Sequence, residues 1–127
     1  MTTLTPSQRI IADAMSEADL LRAIIDAART CGYLVHHCRP AQSQSGRWST
    51  PIQGDAGFPD VILVPGRPGL AQNQILAWEL KREGKYPTAA QIAWLEALGA
   101  IPGVSARVVR PRDWVSGWVE RELMATE

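Results

Sequence analysis

Two neighbouring stretches decide the fold: Gly57-Phe58-Pro59-Asp60-Val61-Ile62-Leu63-Val64-Pro65 and Gln74-Ile75-Leu76-Ala77-Trp78-Glu79-Leu80-Lys81. Val61 to Val64 is a short, wholly apolar run stopped by Pro65-Gly66 and Pro68-Gly69, the pattern of a buried strand ended by a turn. Gln74 to Lys81 reads as a second strand. Side chains alternate along a strand, so Glu79 and Lys81 project from one face, roughly 7 Å apart at their α-carbons. Trp78 and Leu80 point to the other face, where their bulk suits a helix-covered sheet. Asp60 stands at the entry of the first strand, and a hairpin relation between the two can set it beside Glu79.

Outward from this pair the chain alternates helix and strand. Thr5-Pro6 reads as an N-cap followed by proline at the first helical position, opening a short helix through about Met15. Ser16, with Asp19 three residues on, opens a second helix by an acidic variant of the capping box. Its apolar stripe is Leu20, Leu21, Ile24, Ala27 and Ala28, with Asp19, Arg22, Asp26 and Arg29 on the solvated side. Gly32 stops it, and Tyr33 to Cys38 reads as a strand. Residues 39–57, rich in Pro, Gln, Ser and Gly, read as a long loop. Thr88 to Gly99 is predicted as a helix, Ser105 to Arg110 as a strand, and Pro111 to about Ala125 as one terminal helix. The order implies an α/β fold, a mixed sheet flanked by helices, in a single domain spanning 1–127.

A charged pair ending an otherwise apolar strand calls for a partner or a metal, because buried charge is costly. Two adjacent carboxylates repel, and a hard divalent cation relieves that repulsion while leaving positions for water and phosphate oxygen. A nearby ammonium can orient the attacking water or stabilise charge building on phosphorus. An isolated Glu-x-Lys is ordinarily a surface ion pair, and Asp60 is what moves the reading away from that.

Gly57-Phe58-Pro59-Asp60, Glu79-Leu80-Lys81 and a following helix carrying Gln91 together resemble the VRR-NUC group of PD-(D/E)XK nucleases, over about Glu17 to Trp114. The resemblance implies a restriction-endonuclease-like αβββαβ core with an added C-terminal helix. It implies Mg²⁺ or Mn²⁺ held by Asp60, Glu79 and the main-chain carbonyl of Leu80, with Lys81 as the catalytic lysine. Glu17 matches the group's acidic residue at the start of the first helix, and Gln91 the glutamine after the lysine strand. It further implies a homodimer that hydrolyses DNA, with branched substrates such as four-way (Holliday) junctions preferred, in a phage or bacterium. The chain's Pro- and Gly-rich connection from Pro65 to Asn73 is a mild departure from the group.

Read from the residues alone, Glu17 either points toward the rim of the sheet or neutralises its helix dipole. Gln91 either completes a Thr88-Ala89-Ala90-Gln91 capping box or serves the site, and it shares a face with Trp94, Leu95 and Leu98. Three rival functions stay open: a non-catalytic nucleic-acid-binding module, a restriction-type enzyme and an RNA endonuclease. Retention of Asp60, Glu79 and Lys81 together speaks against the first.

Composition is ordinary for a soluble globular protein, with 46% hydrophobic and 20% charged residues and zero net charge. A zero balance disfavours a nucleic-acid binder, but its distribution softens the objection. No acid occurs from Ala27 to Gly54, where Arg29, Arg39 and Arg47 fall; Arg107, Arg110 and Arg112 lie between Glu96 and Asp113. Arg39, Arg47 and Trp48 are therefore candidates to grip phosphate and stack on a base at the mouth of the site. Trp48 can equally anchor its own loop. Cys31, His36, His37 and Cys38 match no standard structural zinc spacing and read as core or edge residues, with His36 or His37 able to border the site. The two cysteines fit reduced thiols in a cytoplasmic protein, and their spacing leaves a single bridge open. No apolar stretch approaches a membrane span, and Met1-Thr2-Thr3 opens no signal-peptide h-region. Trp114 and Trp118, four apart, read as packing residues on the last helix.

Overall fold

The computed structural model describes residues 3–37, 41–42, 48–49 and 53–125, with 41–42 and 48–49 as backbone only. Thr5 opens α1 (Pro6–Ala14) with a capping box: its hydroxyl accepts from the Gln8 amide at 3.2 Å, and the Gln8 side chain accepts from the Thr5 amide at 2.9 Å. Ser16 and Asp19 repeat this reciprocal exchange at the start of α2 (Glu17–Cys31), which ends on Gly32 in the left-handed region at φ 103°. The stripe read from the sequence is the buried one, with Leu20, Ile24 and Ala28 fully shielded.

Four strands form the main sheet. β1 (Tyr33–His37) is followed by β2 (Ala41–Gln42) and β3 (Trp48–Ser49), which pair antiparallel as a separate ribbon in a stretch expected to be loop alone. β4 (Val61–Pro65), β5 (Ile75–Leu80) and β6 (Val104–Val109) join β1 in the order β1-β4-β5-β6. β1 and β5 each run antiparallel to β4 between them, and β6 runs parallel to β5 after a crossover through α3 (Ala89–Gly99). The sheet is therefore mixed and the class α/β, as the alternating pattern implies.

Its two faces differ. Tyr33, Val61, Leu63, Leu76, Trp78, Leu80 and Val109 pack into one core with α2 and α5. Tyr33 donates its hydroxyl proton to the Leu123 carbonyl at 2.8 Å, tying β1 to the C-terminal end of the chain. On the opposite face α3 packs over β6 and part of β5. The β1–β4 half carries Leu34, 68% exposed, and its cross-strand partner Val64, 36% exposed. That open half borders the carboxylates.

The C-terminal segment differs from the single helix expected. It is broken into α4 (Pro111–Val115) and α5 (Trp118–Met124). Gly117 sits at φ 86°, a conformation glycine reaches at no steric cost, and the chain turns there. The break lets α5 bury Val119 and Leu123 in the core while Trp118 tilts against Trp78 at 5.7 Å. Between β4 and β5, Ala71, Gln72 and Asn73 all have positive φ (48°, 54° and 62°), a left-handed turn that costs roughly 1–2 kcal/mol per residue. The Ala71 amide donates to the Ala125 carbonyl at 2.8 Å, and Leu70 and Ala71 are buried, which offsets that strain. Among the described residues, no helix is long and apolar enough to cross a membrane.

Candidate active site

The register builds the site. Val61 pairs with Trp78 in the antiparallel β4–β5 ladder, so one step further Asp60 faces Glu79. Both lie on the sheet face away from Trp78, and Lys81 follows two residues on. The pairing of β4 ends at Val61, which leaves the Leu80 main chain beyond its partner strand. The Lys81 amide donates toward β6, to the Val109 carbonyl at 3.1 Å. Main-chain groups of successive strand residues point to opposite sides, so the Leu80 amide and carbonyl both turn toward β4. Asp60 Oδ2 accepts from that amide at 2.8 Å. One carboxylate oxygen thus fixes the Asp60 side chain, leaving the other for the site.

Glu79 is the unusual group. It is 1% exposed, alone among the charged residues described as buried, and its Oε2 has no hydrogen-bond partner. Lys81 Nζ lies 3.8 Å from Glu79 Oε1, with the lysine side chain 15% exposed. Burial, then the charge of Asp60 and a hydrogen bond with its carboxyl, push the Glu79 carboxyl up to about 8, against the opposing charge of Lys81. A buried carboxylate beside a second carboxylate with an orphaned oxygen is an incomplete set. A proton satisfies it, and so does a cation.

This has a measurable consequence. In the metal-free protein the folded state keeps a proton that the unfolded chain loses near 4.5. The associated stability is complete below that value and is lost as pH rises toward about 8. In EDTA, thermal unfolding of Glu79→Gln, which keeps a neutral donor, should show a flatter pH profile than the parent. The variant should exceed the parent by on the order of 1–3 kcal/mol at pH 8.5. Parallel profiles between pH 5 and 8.5 would mean that Glu79 carries no such load.

The approach to Asp60 is equally constrained. Gly57 adopts φ 103°, and a Cβ there would lie 2.6 Å from the Ala90 carbonyl carbon and 2.8 Å from the Gln91 amide nitrogen. Phe58 meets Trp94 edge to face at 5.0 Å, Trp94 Nε1 donates to the carbonyl of Ala56 at 3.1 Å, and Pro59 is fully buried. The run Gly57-Phe58-Pro59 is thus a clamp that seats the start of α3 against the segment delivering Asp60. Gly57→Ala combines backbone strain with a main-chain clash, so it should cost about 2–5 kcal/mol in urea unfolding. An unchanged midpoint would show that the close approach is dispensable.

Other candidates fall differently. The Gln91 side-chain oxygen accepts from the Thr88 amide at 2.8 Å and the Gln91 amide donates to the Thr88 hydroxyl at 3.2 Å, so Gln91 completes the capping box of α3. Glu17 is exposed at the first turn of α2. His36 shares the carboxylates' sheet face one row away, opposite Ile62, while His37 lies on the core face with its Nδ1 buried and unpartnered. Cys31 is a free thiol. Arg39, Arg47 and Cys38 lie outside the described residues, and Trp48 is placed only as part of β3. Among the described residues, no three His, Cys, Asp or Glu side chains converge as a metal cluster. The donor set available is smaller: two carboxylates and a carbonyl.

Residues 81–88, which join β5 to α3, carry Arg82, Lys85 and Tyr86 immediately after Lys81, and in the sequence such charged and aromatic turn residues look like ordinary surface. Comparison of the chain with family models, characterised proteins and solved structures gives no match.

Proposed function

We propose that the chain is a divalent-metal-dependent endonuclease hydrolysing DNA phosphodiester bonds, of the VRR-NUC type within the PD-(D/E)XK nucleases. The observation that carries this reading is Glu79: buried, opposite Asp60, with one oxygen unpartnered and an ammonium 3.8 Å from the other. Leaving aside the short β2–β3 ribbon, the element order α2-β1-β4-β5-α3-β6 supports this reading, because it is compatible with the αβββαβ succession expected of a restriction-endonuclease-like core.

Asp60, Glu79 and the Leu80 carbonyl are oxygen donors suited to Mg²⁺ or Mn²⁺, and the orphaned Oε2 fits such an ion. When bound, the ion supplies Lewis-acid polarisation of the phosphate and a lowered pKa for water. The chain's own residues do the rest. The Leu80 amide holds Asp60 in place, and the core behind Trp78 and Leu80 keeps Glu79 out of bulk water. Lys81 brings a positive charge to where the attacking water and the developing charge on phosphorus meet. The open β1–β4 half of the same face leaves room for a backbone to approach.

Preference for branched DNA and assembly as a homodimer belong to the same proposal, since two symmetric sites suit a two-fold junction. The test is cleavage of end-labelled linear, flapped and four-way DNA, and of RNA of matching sequence, with Mg²⁺, Mn²⁺ or EDTA. Metal-dependent cutting of DNA is the expected result, strongest on branched forms. Binding without cutting in either metal would return the chain to a non-catalytic module.

A further inference from the structure

The segment joining β5 to α3 is held from several sides. After Lys81, the Lys85 amide donates to the Arg82 carbonyl at 3.2 Å across a turn whose Gly84 has φ 83°. Arg110, at the end of β6, donates from one guanidinium nitrogen to the carbonyls of Arg82 at 3.1 Å and Lys85 at 2.5 Å. Glu83 accepts from Arg112 Nε at 2.9 Å and pairs with its Nη2 at 2.8 Å, and meets Arg9 of α1 at 3.4 Å. Those hydrogen bonds hold the Glu83 carboxyl below the usual carboxylate range, against its burial. Pro87 and the Thr88 cap fix the exit into α3.

Tyr86, in the middle of this braced segment, is 80% exposed. The guanidinium of Arg110 lies 5.3 Å from its ring centroid, a cation–π brace. Arg82 and Lys85, beside it, are exposed. An aromatic ring buries a large area wherever it can and orders only two side-chain torsions when it does. Holding one in water, on a loop tied at Arg82, Glu83 and Lys85, is the arrangement of a preformed platform. Tyr86 is five residues from Lys81, so it lies at most about 17 Å away along the chain. A nucleic-acid strand advances about 3.4 Å per nucleotide, which puts the ring within roughly five nucleotides of the scissile phosphate.

We infer that Tyr86 stacks on an unpaired base of the substrate strand within about five nucleotides of the cleavage position, with Arg82 and Lys85 taking the flanking phosphates. This rests on the nuclease reading and assigns it a substrate feature, exposed bases near the cut. Stacking is tolerant of base identity, so Tyr86 selects for strand structure over sequence.

The test uses the full chain in EDTA, with fluorescence anisotropy on a flapped DNA and on a fully paired duplex of the same length. A 2-aminopurine in the flap reports stacking by quenching. Tyr86→Ala should weaken flap binding roughly 5- to 150-fold, abolish the quench and leave duplex affinity unchanged. Tyr86→Phe should preserve all three. Arg82→Ala with Lys85→Ala should reduce the salt dependence of binding by about one to two units of log–log slope. Equal flap affinity for Tyr86→Ala and the parent overturns the proposal, as does failure of the parent to bind flapped DNA. A Tyr86-dependent quench without cleavage in Mg²⁺ or Mn²⁺ supports the platform while defeating the nuclease reading. Cleavage with no dependence on Tyr86 does the reverse.

Discussion

Asp60→Ala and Glu79→Ala should each abolish metal-dependent cleavage and weaken Mn²⁺ binding at least tenfold, as read by isothermal titration. The two carboxylates face one another across the β4–β5 ladder, so neither has a substitute among the described side chains around it. On the proposed reading, loss of either would remove one of three oxygen donors to a single ion. The variants differ in stability. Glu79→Ala relieves a buried carboxyl that resists ionisation, whereas Asp60→Ala strips the Leu80 amide of its acceptor, worth about 1–3 kcal/mol if the amide stays dry. Asp60→Asn keeps an acceptor for that amide and separates the two losses. Mn²⁺ must also displace the proton Glu79 holds, so parental affinity should climb with pH up to about 8 and then level. Unchanged Mn²⁺ affinity in both alanine variants would sink the shared site.

What could be read from the residues depends on how local the cause is. The N-cap at Thr5 and the capping boxes at Ser16 and Thr88 are set by residues at most three apart, and all are observed. The strands around Val61 and Trp78 are marked by apolar runs, and their two-residue period correctly separates Glu79 and Lys81 from Trp78 and Leu80. The break at Gly117 was less legible, because a lone glycine within a helical pattern is tolerated or turned according to what the flanking tryptophans must reach. Trp114 and Trp118, read as one helical face, sit on two helices for that reason. The short β2–β3 ribbon involves two residues on each side, below what any periodicity can mark. At the site, residue type pointed to Asp60 and Glu79, but the depth of Glu79 and its orphaned oxygen follow from packing. Tyr86 was illegible for the converse reason. Its exposure matters only because the loop beneath it is fixed by Arg110, Arg112 and Arg9, residues distant in the chain.

Lys81→Ala should lower the single-turnover cleavage rate roughly a hundredfold or more, the scale for losing one group that acts on the transition state. DNA affinity should fall only modestly, because a single ammonium at 15% exposure supplies little of the phosphate contact. On the proposed reading the lysine would act on two things at once. Its charge opposes the upward pressure on the Glu79 carboxyl, so removing it raises that carboxyl further and makes a bound proton harder to displace. Part of the lost rate would then be lost metal. That part is recoverable: raising Mn²⁺ or pH should restore occupancy, as isothermal titration will show, and with it some of the rate. The remainder, measured at saturating Mn²⁺, belongs to Lys81 acting directly on water or on the phosphate. Lys81→Arg sharpens the division, since it keeps the charge near Glu79 but spreads it over a planar, bulkier group. That variant should bind Mn²⁺ like the parent while remaining slow. If Lys81→Ala cleaves at the parental rate, the ammonium is a bystander. If saturating Mn²⁺ restores the full rate, its role is confined to keeping Glu79 ionised.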